Sequence, residues 1–256
     1  MSITQVVILA LIQGIAEFLP ISSSGHLVII QSLMHITNTA VFDIMLHLGS
    51  LIAIVVYFRR PLLDIIQGLL TLNPKALKTV KLILIGTVPA IIVGAFLQKR
   101  LELLFSTPRL VGFSLLITAV FLFSTRFTKI GTKQLKDLKF KDALLVGIFQ
   151  AIAILPGISR SGSTLTTGLW RQATPQSTFE FSFLLAIPAI AGAALLQVPH
   201  LLKEPALYLQ QAFVGLLISA VVSYLALTIL STVLKHSKLW LFGFYCLLLG
   251  LITILF

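Results

Sequence analysis

Long apolar segments dominate this chain and limit the environments in which it can fold. Segments such as LVGFSLLITAVFLF and FVGLLISAVVSYLALTILSTVL approach or exceed the roughly 20 apolar residues that a membrane-spanning helix needs. Only 11% of the residues are charged, whereas soluble domains have about 25%, so a soluble globular protein is excluded. The strand-by-strand alternation of a membrane β-barrel is missing as well. The sequence therefore predicts an all-α polytopic membrane protein.

Ten helical segments are predicted from the apolar periodicity and the turn residues between the apolar runs. They cover residues 3–19, 26–36, 43–58, 82–97, 110–126, 142–155, 164–170, 177–196, 208–234 and 239–256. The segments 26–36 and 164–170 are too short to cross a bilayer core of about 30 Å. Each is predicted to form a re-entrant hairpin with the helix before it. About six transmembrane helices remain, in a single membrane domain over residues 1–256.

The charge distribution predicts an orientation. The formal net charge is +11, but the cations cluster in a few connecting segments, so we predict a bilayer rather than nucleic acid as the partner. Most of the nineteen Lys and Arg residues fall on one side of the predicted topology. That side is predicted to be cytoplasmic, with both termini outside. The single cysteine, Cys246, excludes an intramolecular disulfide.

A motif near the start of the chain recurs 137 residues later. QGIAEFLPISSSGH (13–26) aligns without a gap on QAIAILPGISRSGS (150–163), with identity at seven of fourteen positions. The same offset places Asp43 on Glu180, each near the start of the next long helix. This predicts a duplicated unit, with repeats at about 1–130 and 138–256. Each repeat contains three crossings, so the second is inverted, and its broken helices meet those of the first near the midplane.

The first copy of the motif concentrates reactive side chains. Gln13 and Glu17 share a helix face, and an ionisable group inside a membrane segment indicates a functional site. A helix-end carboxylate that reaches water is the alternative for Glu17. The loop that follows adds three hydroxyls and an imidazole: Ser22, Ser23, Ser24 and His26. This composition fits an activated nucleophile and, as an alternative, the cap of a helix.

The second copy contributes a cation. Arg160 offers a planar guanidinium suited to phosphate oxygens, although a structural salt bridge with Glu17 is the alternative. Gly157 and Gly162 permit close backbone approach at a helix start, where N–H groups favour anions. The hydroxyls of this loop are Ser159, Ser161, Ser163 and Thr164.

The two copies differ where chemistry is expected. Glu17 aligns with Ile154, Ser23 with Arg160 and His26 with Ser163. One copy therefore carries the carboxylate, serine and histidine, and the other carries the cation. This division favours an enzyme that acts on a phosphate over a symmetric transport pathway.

The paired motifs resemble those of the bacitracin-resistance family of undecaprenyl-diphosphate phosphatases. That family combines (E/Q)-x-x-x-E and F-L-P-[VI]-S-S-[ST]-G-H with P-G-x-S-R-S-x-x-T, which appear here as QGIAEFLPISSSGH and PGISRSGST. The resemblance spans about residues 11–196. It implies an integral-membrane hydrolase of the bacterial cell (inner) membrane that converts undecaprenyl (polyprenyl) diphosphate to the monophosphate and inorganic phosphate. This reaction recycles the carrier lipid for cell-wall synthesis.

The resemblance also implies roles for single residues. Glu17, Ser23 and His26 match the catalytic positions, and Arg160 matches the phosphate-binding arginine. The predicted phosphate-binding residues are Gln13, Ser22, Ser24, Gly25, Ser159, Ser161, Gly162 and Thr164. Ser23 is the predicted nucleophile, with Glu17 or His26 as its base; attack by His26 or by water is the alternative.

A divalent cation, Mg²⁺ or Ca²⁺, is implied by the resemblance as an aid to the reaction. Glu17 and the substrate phosphates would be its ligands. Gln13 stands where the family more commonly has a glutamate, which argues against a two-carboxylate metal site.

The sequence leaves the function, the oligomeric state and the roles of two further polar residues with more than one interpretation. A polyprenyl-phosphate transporter or flippase is the rival function, because inverted repeats with broken helices are typical of transporters. With both termini outside, the cleft is predicted to face the periplasm or exterior. The oligomeric state stays open, with a homodimer among the alternatives. His47 is predicted to be a packing histidine, and Asp43 a cap at a helix start.

Overall fold

The computed structural model describes residues 1–37, 39–105 and 108–255 of the chain. All named secondary-structure elements in these ranges are helical, which confirms the predicted fold class. Two short 3₁₀ turns cover Thr125–Phe127 and Leu135–Asp137. The α-helices are α1 (Ile3–Ala16), α2 (Ser23–Leu33), α3 (Ala40–Tyr57), α4 (Arg59–Leu70), α5 (Pro74–Phe105), α6 (Pro108–Ser124), α7 (Phe140–Ile152), α8 (Arg160–Trp170), α9 (Pro175–Leu201), α10 (Ala206–Lys235) and α11 (Leu241–Leu255).

Five helices in the described ranges are long and apolar enough to cross a membrane, namely α3, α5, α6, α9 and α10. The shorter apolar helices α1 and α11 have 14 and 15 residues. α11 corresponds to the sixth predicted crossing at 239–256, of which Phe256 lies outside the described residues. The protein is therefore a polytopic membrane protein, as predicted.

Helix α4 corrects the sequence prediction, which assigned no helix to residues 59–81. α5 also begins at Pro74 rather than at residue 82. Polar residues and Pro61 make α4 resemble a loop, but a proline in the first turn removes no helical hydrogen bond. The exposed apolar residues of α4 share one face: Leu63, Ile66 and Leu70. Such an amphipathic helix suits the membrane–water interface.

The two short helices α2 and α8 occupy corresponding positions in the chain. Each has 11 residues, and their first and last residues are 137 apart, as in the motif alignment. Each follows a capping serine, Ser22 or Ser159, whose side chain accepts a hydrogen bond from a helix N–H. These caps start both helices before the predicted positions 26 and 164. The inverted repeat as a whole stays a prediction.

Helices of the first half pack against helices of the second half. α1 packs on α10, α5 on α7, α6 on α11 and α3 on α9. A buried apolar cluster that includes Phe18, Phe58 and Phe183 lies among them. The ring centroids of Phe18 and Phe183 are 5.3 Å apart in an edge-to-face arrangement. Because Phe18 directly follows Glu17, this contact anchors the first motif loop on the core.

Gly147 gives a test of the α5–α7 packing. A Cβ on Gly147 would lie 2.3 Å from the carbonyl oxygen of Gly86 on α5. We expect Gly147→Ala to push the helices apart and to lower the thermal unfolding midpoint, because overpacking costs about 1–3 kcal/mol. Gly192→Ala is the matched control, since no atom of the described residues lies within 4 Å of its Cβ position. Equal midpoints for the two variants would contradict this packing.

Candidate active site

The first motif loop joins α1 to α2 and reverses the chain. Glu17 caps the end of α1, where its N–H donates to the Gln13 carbonyl at 2.9 Å. Pro20 cannot continue the helix. Ser22 has a φ of 69°, in the left-handed region, and Ser23 is the first residue of α2. This reversal brings the side chains of Glu17 and Ser23 together.

The second motif loop is fixed by Thr118 on α6. The Thr118 hydroxyl donates to the Gly157 carbonyl at 2.9 Å and accepts from the Ser159 N–H at 3.0 Å. Gly157 has a φ of 92°, and a Cβ there would lie 2.5 Å from the Val111 carbonyl oxygen. Only glycine fits this position without strain. The chain then enters α8, whose first residue is Arg160.

The two loops are in direct contact, as the sequence predicted. A Cβ on Gly25 would lie 3.0 Å from the Cα atom of Gly157 and 3.3 Å from its nitrogen. A glycine is needed at position 25 because the two backbones approach this closely. The contact places Ser23 and Arg160, each at the start of a short helix, at one site.

The Glu17 carboxylate lies at the centre of this site and is 7% exposed. Its Oε1 accepts a hydrogen bond from Arg160 Nη2 at 2.6 Å. Its Oε2 accepts from Ser23 Oγ at 2.6 Å and from Gln13 Nε2 at 3.0 Å. Four predicted site residues are thus joined through one carboxylate, which supplies the partners that a buried charge requires. The salt bridge considered as the alternative for Arg160 is present.

His47, predicted to pack rather than to act in catalysis, lies beside this carboxylate; its packing role stays a prediction. Its Nδ1 lies 2.7 Å from the Asp43 carbonyl oxygen, which can only accept, so Nδ1 carries the hydrogen. This bond turns Nε2 toward Glu17 Oε2, 3.5 Å away. One sequence signal was available, because Asp43, His47 and Ser50 have the i, i+4, i+7 spacing of one helix face. Asp43 lies in the first turn of α3, but the prediction that it caps the helix is wrong: Thr39 is the N-cap, and the Asp43 carboxylate accepts from Gln31 and Thr39 side chains.

Gln13 is supported by a cluster of buried serines between α1, α3 and α10. Its Nε2 lies 3.4 Å from Ser50 Oγ. Ser50 Oγ lies 2.9 Å from Ser223 Oγ and 3.3 Å from Ser219 Oγ. None of the three serines has exposed surface. In apolar surroundings such a network holds its members rigidly, so it fixes the side-chain amide beside Glu17.

His26, the histidine predicted for the site, makes its hydrogen bonds elsewhere. Its Nδ1 lies 2.8 Å from the Ser22 carbonyl oxygen, and its Nε2 lies 2.7 Å from the Tyr245 hydroxyl. Since a carbonyl can only accept, Nδ1 carries the hydrogen, and Nε2 of the neutral ring accepts from Tyr245. The two rings stack with an interplanar angle of 5°. The structure thus joins His26 to α11 and not to the Glu17 carboxylate, and the role of Tyr245 had no sequence signal.

The remaining predicted phosphate-binding residues surround the helix starts. The N–H groups of Gly25 and Gly162 donate to the capping serines of α2 and α8. The hydroxyls of Ser24 and Ser161 lie 3.3 and 3.1 Å from the same capping serines. Thr164 is turned away from the site, because its hydroxyl is 2.5 Å from a serine hydroxyl on α9, that of Ser182. The capping alternative, proposed for the first loop, therefore holds for Ser22, and Ser159 caps α8 in the same way, whereas Ser23 bonds to the carboxylate.

Arg160 retains one guanidinium nitrogen for a ligand. Nη2 pairs with Glu17, while the buried Nη1 has no hydrogen-bond partner among the described residues. An unsatisfied buried donor costs about 1–3 kcal/mol. The guanidinium carbon also lies 5.9 Å from the centre of the Phe183 ring, which steadies the group. A phosphate oxygen would satisfy Nη1 with a charge-assisted hydrogen bond.

The side chains around Glu17 do not provide the oxygen ligands of a preformed divalent-cation site. Both oxygens of Glu17 already accept hydrogen bonds from Arg160, Ser23 and Gln13. Mg²⁺ and Ca²⁺ prefer several oxygen ligands, usually including carboxylates. In the described part of the chain, no group of three or more His, Cys, Asp or Glu residues could hold a metal ion.

Comparison with known proteins identifies the family. Residues 6–252 match the family described as bacitracin resistance protein BacA. The chain belongs to this family.

It is 37% identical over 273 residues to an undecaprenyl-diphosphatase of Methanosphaera stadtmanae, covering 100% of this chain and 98% of the relative. It is 38% identical over 265 residues to one from Korarchaeum cryptofilum, covering 98% of each chain. Undecaprenyl-diphosphatase 4 of Bacillus thuringiensis is 37% identical over 250 residues, covering 96% of this chain and 94% of the relative. The family resemblance of the paired motifs is confirmed.

Thr118 gives a test of how the second loop is held. Thr118→Val keeps the side-chain shape but leaves the Gly157 carbonyl and the Ser159 N–H without their partner. We expect a loss of about 1–3 kcal/mol for the unsatisfied buried groups, measured as a lower thermal unfolding midpoint of the purified protein. Thr118→Ser, which keeps the hydroxyl, should restore most of the loss. A valine variant as stable as wild type would show that these hydrogen bonds do not hold the loop.

Proposed function

We propose that this protein is a membrane phosphatase that removes the terminal phosphate from undecaprenyl diphosphate or a similar polyprenyl diphosphate. The products are the lipid monophosphate and inorganic phosphate, and the reaction recycles the carrier lipid for cell-wall synthesis. Relatives that span nearly the whole chain are named undecaprenyl-diphosphatase. One observation supports the proposal most directly. The buried Nη1 of Arg160 has no hydrogen-bond partner among the described residues, and it lies in the same site as a serine that is bound to a carboxylate.

Arg160 is the proposed ligand of the terminal phosphate. Its Nη1, which has no partner among the residues that the structure describes, can donate to one phosphate oxygen. Its Nη2 can follow once the phosphate replaces the Glu17 carboxylate as its partner. Arg160 is also the first residue of α8, where the helix dipole favours an anion. Stabilising the charge that develops on the transferred phosphoryl group is the main task of such a site.

Ser23 is the proposed nucleophile, with Glu17 as its base. The serine Oγ lies 2.6 Å from Glu17 Oε2, close enough for the carboxylate to take the hydroxyl proton. The serine oxygen bonds to the terminal phosphorus, the bond to the bridging oxygen breaks, and the lipid monophosphate leaves. Water then hydrolyses the phosphoserine and releases inorganic phosphate.

The alternative nucleophiles make different demands on the site. Attack by His26 would require its Nε2 to leave Tyr245, from which it is 2.7 Å away. Attack by water would form no covalent phosphoenzyme. Acid quenching during turnover, followed by identification of a phosphoserine or phosphohistidine peptide, separates the three routes.

The cell membrane is the proposed location, with the cleft open to the periplasm or exterior. A cavity of about 930 Å³ at the starts of α5 and α9 and the end of α10 is lined by four lysines: Lys75, Lys78, Lys136 and Lys235. Lysine enrichment at one end of the spans favours a cytoplasmic position for that end. The lipid tail would remain among the apolar helices.

A transporter or flippase remains the rival function suggested by broken helices. The relatives named above are diphosphatases, and none of their names describes a transporter. The tight bond between Ser23 and Glu17 is also a feature that hydrolysis needs and simple lipid binding does not.

Phosphate release from undecaprenyl diphosphate by the purified protein in detergent tests the proposal. We expect turnover by the wild type and a fall of at least about 10²-fold for Ser23→Ala and for Arg160→Lys, because each removes a group that acts in the transition state. Lysine keeps the charge but not the planar fork.

Ser231→Ala is the control for this assay. Ser231 lies on α10 and donates only to the Thr228 carbonyl of its own helix, so its rate should equal that of the wild type. Absence of phosphate release by the wild type would overturn the proposed function. A Ser23→Ala variant with full activity would overturn only the choice of nucleophile.

A further inference from the structure

We propose that Gln13 makes this site independent of a resident divalent cation, with the protein's own side chains supplying the positive charge and hydrogen bonds that the diphosphate needs. The inference rests on the proposed function and concerns how this chain, with an amide at position 13, neutralises its substrate.

The Glu17 carboxylate is already neutralised by the protein. Arg160 Nη2 lies 2.6 Å from Oε1, and three further groups face Oε2: Ser23 Oγ at 2.6 Å, Gln13 Nε2 at 3.0 Å and His47 Nε2 at 3.5 Å. A cation that approached Oε2 would have to displace two hydrogen-bond donors. The negative charge that would attract the cation is already balanced by the Arg160 guanidinium.

The orientation of the Gln13 amide follows from chemistry. A carboxylate oxygen can only accept a hydrogen bond, so the amide atom 3.0 Å from Glu17 Oε2 must be the NH₂ group. The same nitrogen lies 3.4 Å from Ser50 Oγ, which belongs to the buried serine cluster with Ser219 and Ser223. Position 13 therefore presents a donor to Glu17, whereas a metal site would require an acceptor there.

A glutamate at position 13 would present an acceptor to Glu17 in place of the hydrogen-bond donor. Its carboxylate oxygen would stand where the amide nitrogen now lies, about 3 Å from Glu17 Oε2. Two carboxylates this close cannot both stay ionised without a cation or a shared proton between them. The wild-type chain avoids this repulsion, and its single Arg160 is matched by a single Glu17.

The site also has hydrogen-bond donors for the terminal phosphate of the substrate. Arg160 Nη1 is buried with no partner among the described residues, and the start of α8 favours an anion. The Gln13 Oε1 atom is also buried without a partner among them; as an amide oxygen it can only accept, so it can receive a hydrogen from a water molecule but not bind a phosphate oxygen. Arg160 Nη1 and the start of α8 therefore offer the terminal phosphate hydrogen-bond donors without a metal ion as the bridge to Glu17.

The first experiment measures cation binding directly. Purified wild-type protein and the Gln13→Glu variant, without substrate, are titrated with Ca²⁺ and with Mg²⁺ by isothermal calorimetry. We expect no saturable heat for the wild type and a single saturable site for Gln13→Glu, because only the variant has two facing carboxylates.

The second experiment measures phosphate release from undecaprenyl diphosphate in excess EDTA and in excess Mg²⁺. The wild-type rate should change by less than about threefold, whereas Gln13→Glu should lose at least about tenfold in EDTA and recover in Mg²⁺.

Gln150→Glu is the matched control variant. Gln150 is buried 137 positions further along, and Ile154 stands in the place of Glu17, so a new carboxylate there faces no second one at that spacing. It should show no gain in cation binding or dependence. A wild type that binds Ca²⁺ or Mg²⁺ saturably, or that loses at least about tenfold in EDTA, overturns the inference whether or not the variants fold. If no protein releases phosphate, the proposed function fails, and the calorimetry still tests the inference on its own.

Discussion

The ion pair between Glu17 and Arg160 is the interaction on which this site depends. It joins two loops that lie 143 residues apart in the sequence, and both side chains are largely shielded from solvent. Removing one partner of a buried pair leaves an uncompensated charge, which costs about 3–5 kcal/mol. The close contact of Gly25 with Gly157 lets the two loop backbones approach until this pair can form.

The same ion pair links phosphate binding to the activation of Ser23. In the part of the chain that the structure describes, Arg160 holds Glu17 through Nη2, and its Nη1 has no hydrogen-bond partner. A phosphate competes with the carboxylate for the guanidinium, and the carboxylate then becomes a stronger base for the Ser23 hydroxyl that it already holds. Binding of the substrate and activation of the nucleophile are thereby linked through a single arginine. The Gln13 amide and the His47 ring limit how far the carboxylate can turn during this exchange.

The sequence predicts the helical class, the two motif loops and their meeting, because apolar length and a repeated motif are local signals. It does not reveal the amphipathic helix α4, whose polar residues resemble those of a loop. It also does not predict the hydrogen-bond partners of the two histidines. His47 reaches Glu17 and His26 bonds to Tyr245 only because α3 and α11 pack where they do. Such partners depend on tertiary packing, to which residue spacing along one helix gives at most a partial guide.

A double-mutant cycle on phosphate release from undecaprenyl diphosphate tests the central claim, that Glu17 and Arg160 act as one unit. The rates, as kcat/KM, are compared for wild type, Glu17→Gln, Arg160→Lys and the double variant. Residues that act together give non-additive losses, so the double variant should be within about threefold of the slower single variant. Losses that multiply across the two positions would show that the carboxylate and the guanidinium work independently and would contradict the account.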